Sequence, residues 1–269
     1  NKNMKKHRLD ILMTERGLAE SRAQAQRLVM AGQVRVDGEV ELKSATRVPL
    51  SAEVVVSHGA RYVSRGGEKL EAGLIAFGLT DLAGRVCADV GASTGGFTDC
   101  LLQHRAKRVY AIDVGYGLMH WKLRNHPSVT LMERTNARQL QQLAEPVDLV
   151  TIDASFISLK VILPVVRCWF GKAGGKVVAL IKPQFEVGRA EAARGEGVIR
   201  DVSQHRRVLV DVLGFAQREG FEVTDLIRSP LLGPKGNVEF LACLVFPGVK
   251  PGELELLIEK LLPSTQTAE

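Results

Sequence analysis

Asp89, Asp113, Asp153 and Lys182 each stand at or just before the end of a short apolar run. Runs of this length read as buried strands, and open α/β sheets gather their functional groups beyond the carboxyl ends of such strands. Three carboxylates and an amine placed there could hold a cation, accept hydrogen bonds from a diol and manage a proton. A lone acid at a strand end often caps the next helix instead. Four polar strand ends in one sheet are harder to explain that way.

The loop from Asp89 to Phe97, Asp-Val-Gly-Ala-Ser-Thr-Gly-Gly-Phe, carries the most information. It reads as strand, glycine-rich turn, helix. A dinucleotide fingerprint would space its glycines G-x-G-x-x-G and offer a helix N-terminus to a pyrophosphate. This spacing differs, and Asp89 would repel phosphate. A cationic ligand without phosphate suits the loop better. S-adenosylmethionine, with its sulfonium and α-ammonium groups, is one. The contacts expected are from Asp89, Gly91, Ala92, Ser93, Gly95, Gly96 and Phe97; the alternative is a turn that binds nothing. Asp113 follows Asp89 at the distance where a carboxylate receives a ribose diol, or else caps a helix. Asn136, after the third strand, is placed to meet an adenine edge.

Strands over 85–90, 108–113, 129–132, 147–153, 176–181, 221–227 and 239–246 must position these residues, with helices over 69–77 and 204–219 among them. The last two strands are joined almost directly, which predicts an antiparallel pair. The expected fold class is α/β, a Rossmann-like sheet of seven strands over 68–262. Residues 58–67 read as a linker broken by Gly59, Gly66 and Gly67, although Arg61, Tyr62 and Arg65 suggest contact with ligand or RNA, or else packing between domains. The charged, glycine-rich stretch from Glu186 to Asp201 reads as a loop that closes over RNA, or as an ordinary solvated loop.

Residues 5–57 read as a separate α+β unit. Arg8-Leu9-Asp10 opens a helix, Ser21 caps a second over Arg22 to Met30, and Val34 to Val40 forms a hairpin with an Asp-Gly turn. Val54 to Val56 closes the unit. Residues 1–66 hold 12 Lys+Arg against 7 Asp+Glu, whereas the rest hold 24 against 23, so the excess charge of +6 sits almost wholly in the first quarter. That asymmetry suggests a polyanion-binding module. Arg8-Leu9-Asp10, Ser21-Arg22 with Ala25, and Gly32-x-Val34-x-Val36-x-Gly38 resemble the S-four-like RNA-binding domain. The resemblance turns the second helix and following turn toward RNA, making Arg22, Arg27 and Arg35 candidate contacts; Arg8, and Arg65 from the linker, are added to them. Arg22 alternatively braces the fold.

Across nearly the whole chain the sequence is similar to the hemolysin-A (TlyA-type) family, which joins an S-four-like domain to an FtsJ-like ribosomal RNA 2′-O-methyltransferase domain. The residues that carry this are Val63-Ser64-Arg65-Gly66-Gly67-x-Lys69-Leu70, Asp89 to Asp99, Asp113-Val114-Gly115-Tyr116-Gly117, Glu133 to Arg138, Asp153-x-Ser155-Phe156, Ile181 to Glu186 and Gly236-Asn237-x-Glu239-Phe240. The family's Lys-Asp-Lys-Glu set falls on Lys69, Asp153, Lys182 and Glu239. The resemblance implies ribosomal RNA as partner, with cytidine as the modified nucleotide.

The chemistry gives these residues reasons. A ribose hydroxyl attacks poorly until its proton is held or removed, while a sulfonium methyl is already activated. Lysine, with a pKa of about 10.4 when free, becomes a base only after burial and a second cation lower that value. Lys182 is the candidate base and Lys69 the second cation, with Asp153 and Glu239 orienting them. The alternative is two structural Lys–acid pairs. Base N-methyltransferases carry Asn/Asp-Pro-Pro-aromatic at the Asp153 position, and the prolines are absent. Carbon methylation needs a cysteine near this loop, and none is there.

Cys87, Cys100, Cys168 and Cys243 lie among apolar neighbours without a C-x-x-C pair and are expected buried and reduced, with no metal site. No apolar run approaches the ~18 residues needed to span a bilayer. Asn1-Lys2-Asn3 reads as an appended remnant before a natural Met4, and a cytoplasmic location is expected. Two other readings remain at this stage: a non-catalytic RNA-binding factor and a membrane-lytic protein.

Overall fold

The computed structural model describes residues 6–30, 32–56, 61–187, 197–250 and 253–263. The chain forms two compact units that divide between Arg61 and Tyr62.

The first unit contains β1 (Lys6–Arg8), α1 (Leu9–Glu15), α2 (Arg22–Met30), β2 (Val34–Val36), β3 (Glu39–Val40), β4 (Arg47–Pro49) and β5 (Val54–Val56). β2 pairs antiparallel with β3 and β5, and β1 pairs with β4. Asp37 and Gly38 both take positive φ, 50° and 90°, as a two-residue turn matched to strand twist requires. Ser21 caps α2, its Oγ accepting from Gln24 N at 3.2 Å. Leu9, Leu12, Met13, Ala25, Val29 and Val34 fill the core.

Two expectations change here. Arg8 ends a strand before α1 begins, and β1 and β4 are too short to show an alternating pattern. Asp10 is wholly buried and gathers three partners. Its carboxylate accepts from Arg8 Nη2 and Gln26 Nε2 at 2.9 Å each and from Arg22 Nε at 3.0 Å. The hydrogen bond from Arg8 holds its carboxyl well below the usual carboxylate range. A buried carboxylate must be paired, so Arg8 and Arg22 brace α1 against α2. Arg27 and Arg35 remain exposed, with Arg35 Nη1 also donating to Gly38 O at 2.9 Å.

The second unit contains α3 (Gly66–Ala76), β6 (Val86–Val90), α4 (Gly96–Gln103), β7 (Arg108–Ile112), α5 (Trp121–Arg124), β8 (Val129–Met132), β9 (Leu149–Ile152), α6 (Leu159–Val166), β10 (Gly175–Ile181), α7 (Pro183–Glu186), α8 (Val202–Arg218), β11 (Glu222–Arg228), β12 (Phe240–Phe246) and α9 (Leu254–Leu261). One seven-stranded sheet runs β11-β12-β10-β9-β6-β7-β8. β12 alone runs antiparallel, inserted between β10 and β11. The order reverses between β6 and β9, so a crevice opens at their carboxyl ends. Buried Val, Ile, Leu and Ala from both faces form the core. Among the described residues no helix is long and apolar enough to cross a membrane.

The expected linker is mostly something else. Tyr62 is buried in the second unit, and Gly66 and Gly67 begin α3 instead of breaking the chain. A Cβ at Gly67 would fall 2.2 Å from the Tyr62 ring, and one at Gly96 would fall 2.2 Å from Ser64 Oγ. The glycines are there so that segment 62–67 can lie against α4. Residues 57–60 are outside the described ones. Cys87, Cys100 and Cys243 are buried, but Cys168 is exposed, on the turn that leaves α6.

Candidate active site

The glycine loop places its ligand-facing atoms by close packing. Gly91, at φ 81°, follows β6, and a Cβ there would lie 2.5 Å from Asp153 O at the end of β9. Gly95, at φ 99°, turns the chain into α4, where a Cβ would meet Leu123 at 2.3 Å. Only glycine fits either position. Three hollows adjoin at this edge. The first, about 380 Å³, is lined by Lys69, Gly91, Ala92, Ser93, Gly96, Phe97 and Asp153, with Arg65 at its rim. The second, about 370 Å³, shares Gly91, Ser93 and Asp153 and adds Asp113 and Asn136. The third, about 660 Å³, holds Ser155, Phe156, Lys182, Gln184 and Phe185.

Asp113 sits with its carboxylate anchored from below. Oδ2 accepts from Ser93 N at 2.8 Å and Oδ1 from Gly115 N at 2.7 Å. Each oxygen keeps a second lone pair for a diol. Asn136 lines the same hollow while its Oδ1 accepts from Arg138 N at 3.1 Å, capping a turn.

Asp89 departs from expectation. Its carboxylate is fully buried, accepting from Thr98 Oγ1 at 2.7 Å and Thr151 Oγ1 at 3.1 Å. It braces the loop from beneath and lines none of the three hollows. Its acidity therefore does not decide which ligand the loop prefers. The signal for this was the pair of threonines, whose hydroxyls are the natural partners of a buried acid. Burial pushes the Asp89 carboxyl up to about 7; the Asp153 charge adds to this and the threonine hydroxyls oppose it.

That shift has a pH consequence. Unfolded aspartate titrates at about 3.9, so between about pH 4 and 7 the folded state binds more protons than the unfolded state. Stability is therefore lost as pH rises through this window. Asp89→Asn should remove that slope. The urea midpoint of the wild type should fall relative to the variant between about pH 5 and 7.5; a constant gap would contradict the assignment.

Two lysine–carboxylate pairs complete the site. Lys69 Nζ lies 2.6 Å from Glu239 Oε2, with both side chains buried. Gly233 closes over the other oxygen, where a Cβ would fall 2.0 Å from Oε1. Lys182 Nζ lies 2.6 Å from Asp153 Oδ1 and donates to Ser155 Oγ at 3.1 Å. The contact with Asp153 is an ion pair without hydrogen-bond geometry, so the bond to Ser155 leaves the rest of the Lys182 amine for the hollow it lines. All four expected residues thus gather at one edge, two from the parallel strands, one from α3 and one at the entry to β12.

Phe156 and Lys235 carried no assigned role in the sequence. Phe156 is 90 % exposed at φ 63°, an unfavourable backbone for a bulky residue, with its ring 4.8 Å from that of Phe185. An aromatic residue without an apolar partner in the pattern was the signal for it. Lys235, at φ 58°, lines both the first and third hollows. The ends of the stretch 186–201 are fixed: Glu186 accepts from Ser158 Oγ at 2.5 Å and Leu159 N at 2.9 Å, and Asp201 caps α8. Residues 188–196, on which the closing loop was expected, lie outside the described residues.

Comparison with known proteins shows the family of the chain. Residues 62–246 match the FtsJ-like methyltransferase family and residues 7–54 match the S4 domain. The chain is 46 % identical over 242 residues to the 16S/23S rRNA (cytidine-2′-O)-methyltransferase TlyA of Mycobacterium tuberculosis, covering 88 % of this chain and 89 % of that one. It is 39 % identical over 245 residues to Hemolysin A of Brachyspira hyodysenteriae, covering 87 % and 98 %. A solved structure from Streptococcus thermophilus, provisionally named a hemolysin, is similar with a TM-score of 0.70 and 41 % identity over 96 % of each chain.

Proposed function

The chain belongs to the FtsJ-like methyltransferase family, and from that premise we propose that it methylates the 2′-hydroxyl of a cytidine in ribosomal RNA, using S-adenosylmethionine. The observation that carries the reading is the convergence of Lys182, Asp153, Lys69 and Glu239 beside the glycine loop.

The cleft suits that cofactor on its own chemistry. Gly91 and Ser93 line both hollows beside the loop, while Gly95 packs on Leu123 and lines none of the three; Asp113 keeps two acceptors for ribose, and Asn136 lines the same hollow. Ala92, Ser93, Gly96 and Phe97 line the part nearest Lys69. When bound, S-adenosylmethionine supplies a methyl group already activated on sulfur. Asp153 spans both halves of the cleft and fixes the Lys182 amine. In its neutral amine form Lys182 holds the acceptor hydroxyl and takes its proton as the oxygen attacks the methyl group, becoming an ammonium. Lys69, held by Glu239, places a second cation in the first hollow and orients the hydroxyl. Phe156 offers an exposed ring on which the acceptor base stacks.

The first unit brings the RNA. Arg27 and Arg35 contact phosphate there, and Arg65 does so beside the site, where its Nη2 also reaches Leu232 O at 3.4 Å. Binding of this kind weakens with salt. The test is methyl transfer to purified ribosomal subunits, followed by mapping of 2′-O-methyl positions. The expected result is one or a few modified cytidines that require both protein and cofactor. Transfer to bases alone, or none, would overturn the reading.

A further inference from the structure

We propose that Gln184 reads the acceptor base, its Oε1 accepting a hydrogen bond from an exocyclic amine on the Watson–Crick edge. This rests on the ribose-methylation reading above and adds the residue that selects the nucleotide.

Gln184 stands two residues after Lys182, on α7, and shares the third hollow with Lys182, Phe156 and Phe185. It is 8 % exposed, yet Oε1 has no hydrogen-bond partner among the described residues. An unpartnered buried acceptor is costly, and in a native structure it calls for an explanation. Its neighbours explain the vacancy poorly as packing, because an apolar side chain of the same length would fill the space at no such cost. A ligand donor explains it once the terminal amide turns about its last bond, which brings Oε1 from its water-excluded position into the hollow. A base laid against the Phe156 ring, with its ribose at Lys182, stands in the hollow that Gln184 helps to line.

The chemistry narrows the base. Cytosine and adenine carry an amine at the C4 or C6 position of that edge, whereas uracil and guanine carry a carbonyl oxygen there; guanine's own amine sits at C2, at the other end of the edge. An acceptor that meets the C4/C6 position therefore favours the first pair. Extruded and single-stranded bases are commonly read through this edge and through stacking on aromatic side chains.

The experiment compares two target RNAs, one with cytosine at the modified position and one with the pyrimidin-2-one analogue that lacks the amine. For the wild type, kcat/KM should fall about tenfold on losing the amine, the size of one buried hydrogen bond. For Gln184→Met, which keeps length but no acceptor, the two RNAs should differ less than about twofold. Gln184→Glu keeps an acceptor and should retain the wild-type dependence, which also guards against a Met variant that fails to fold. Equal amine dependence in wild type and Met variant, no dependence in the wild type, or loss of dependence in the Glu variant would overturn the proposal while ribose methylation stands. Absence of ribose methylation by the wild type would overturn both.

Discussion

Lys182→Ala is expected to lower methyl transfer by about 10²–10⁴-fold, the usual contribution of a positioned general base. Cofactor affinity should stay within about threefold, because Lys182 lines the third hollow and neither of the two around the glycine loop. Lys182→Arg should be nearly as inactive. Arginine keeps the charge and can still pair with Asp153, but it does not give up its proton at any working pH. Single-turnover transfer and cofactor titration together check this. An arginine variant close to wild-type rate would make Lys182 an electrostatic clamp and end its role as the base. An alanine variant that no longer binds cofactor would instead place Lys182 in the donor half of the site.

The second large effect concerns Lys69 and Glu239. Both side chains are buried and 2.6 Å apart, so removing either leaves an uncompensated charge. Lys69→Met or Glu239→Gln should each destabilise the second unit by about 3–5 kcal/mol, and the double variant should cost clearly less than the two singles together. Thermal or urea unfolding measures this. Activity should behave differently: the double variant should remain as inactive as Lys69→Met alone. Recovery of activity along with stability would reduce the pair to a structural brace. Additive losses in stability would mean that the two residues do not act as one unit.

Much of the site was legible because strand ends in a parallel sheet are predictable places. Asp113, Asp153 and Lys182 all follow strands whose apolar runs are unmistakable, and the sheet delivers them to one edge. Lys69 and Glu239 were different. Nothing local in their spacing pairs them, since they lie 170 residues apart, and only the family resemblance joined them. Asp89 was misread in a specific way. Its charge was taken as facing the ligand, but a strand buried on both faces turns it inward, and its partners Thr98 and Thr151 come from different elements. Arg22 takes the bracing role given as its alternative, whereas the pairing of Arg8 with Asp10 was not seen: net charge counts guanidinium groups without seeing the acid that holds them. The three-residue strands β1 and β4 leave too little pattern to read, whereas β3 was legible through the Asp-Gly turn before it.

β12 is the last strand of this sheet in chain order, yet it occupies a place inside it, between β10 and β11. Glu239 arrives with it. A growing chain can therefore assemble the donor cradle early, but β11 has no edge to join and Lys69 has no counter-ion until β12 slots in. On the proposed function, competence arrives in one step, when β12 joins, instead of accumulating by stages. A chain stalled before that step would carry Lys69, Asp153 and Lys182 and still lack Glu239, so on that reading interrupted products are inert by topology rather than by chance.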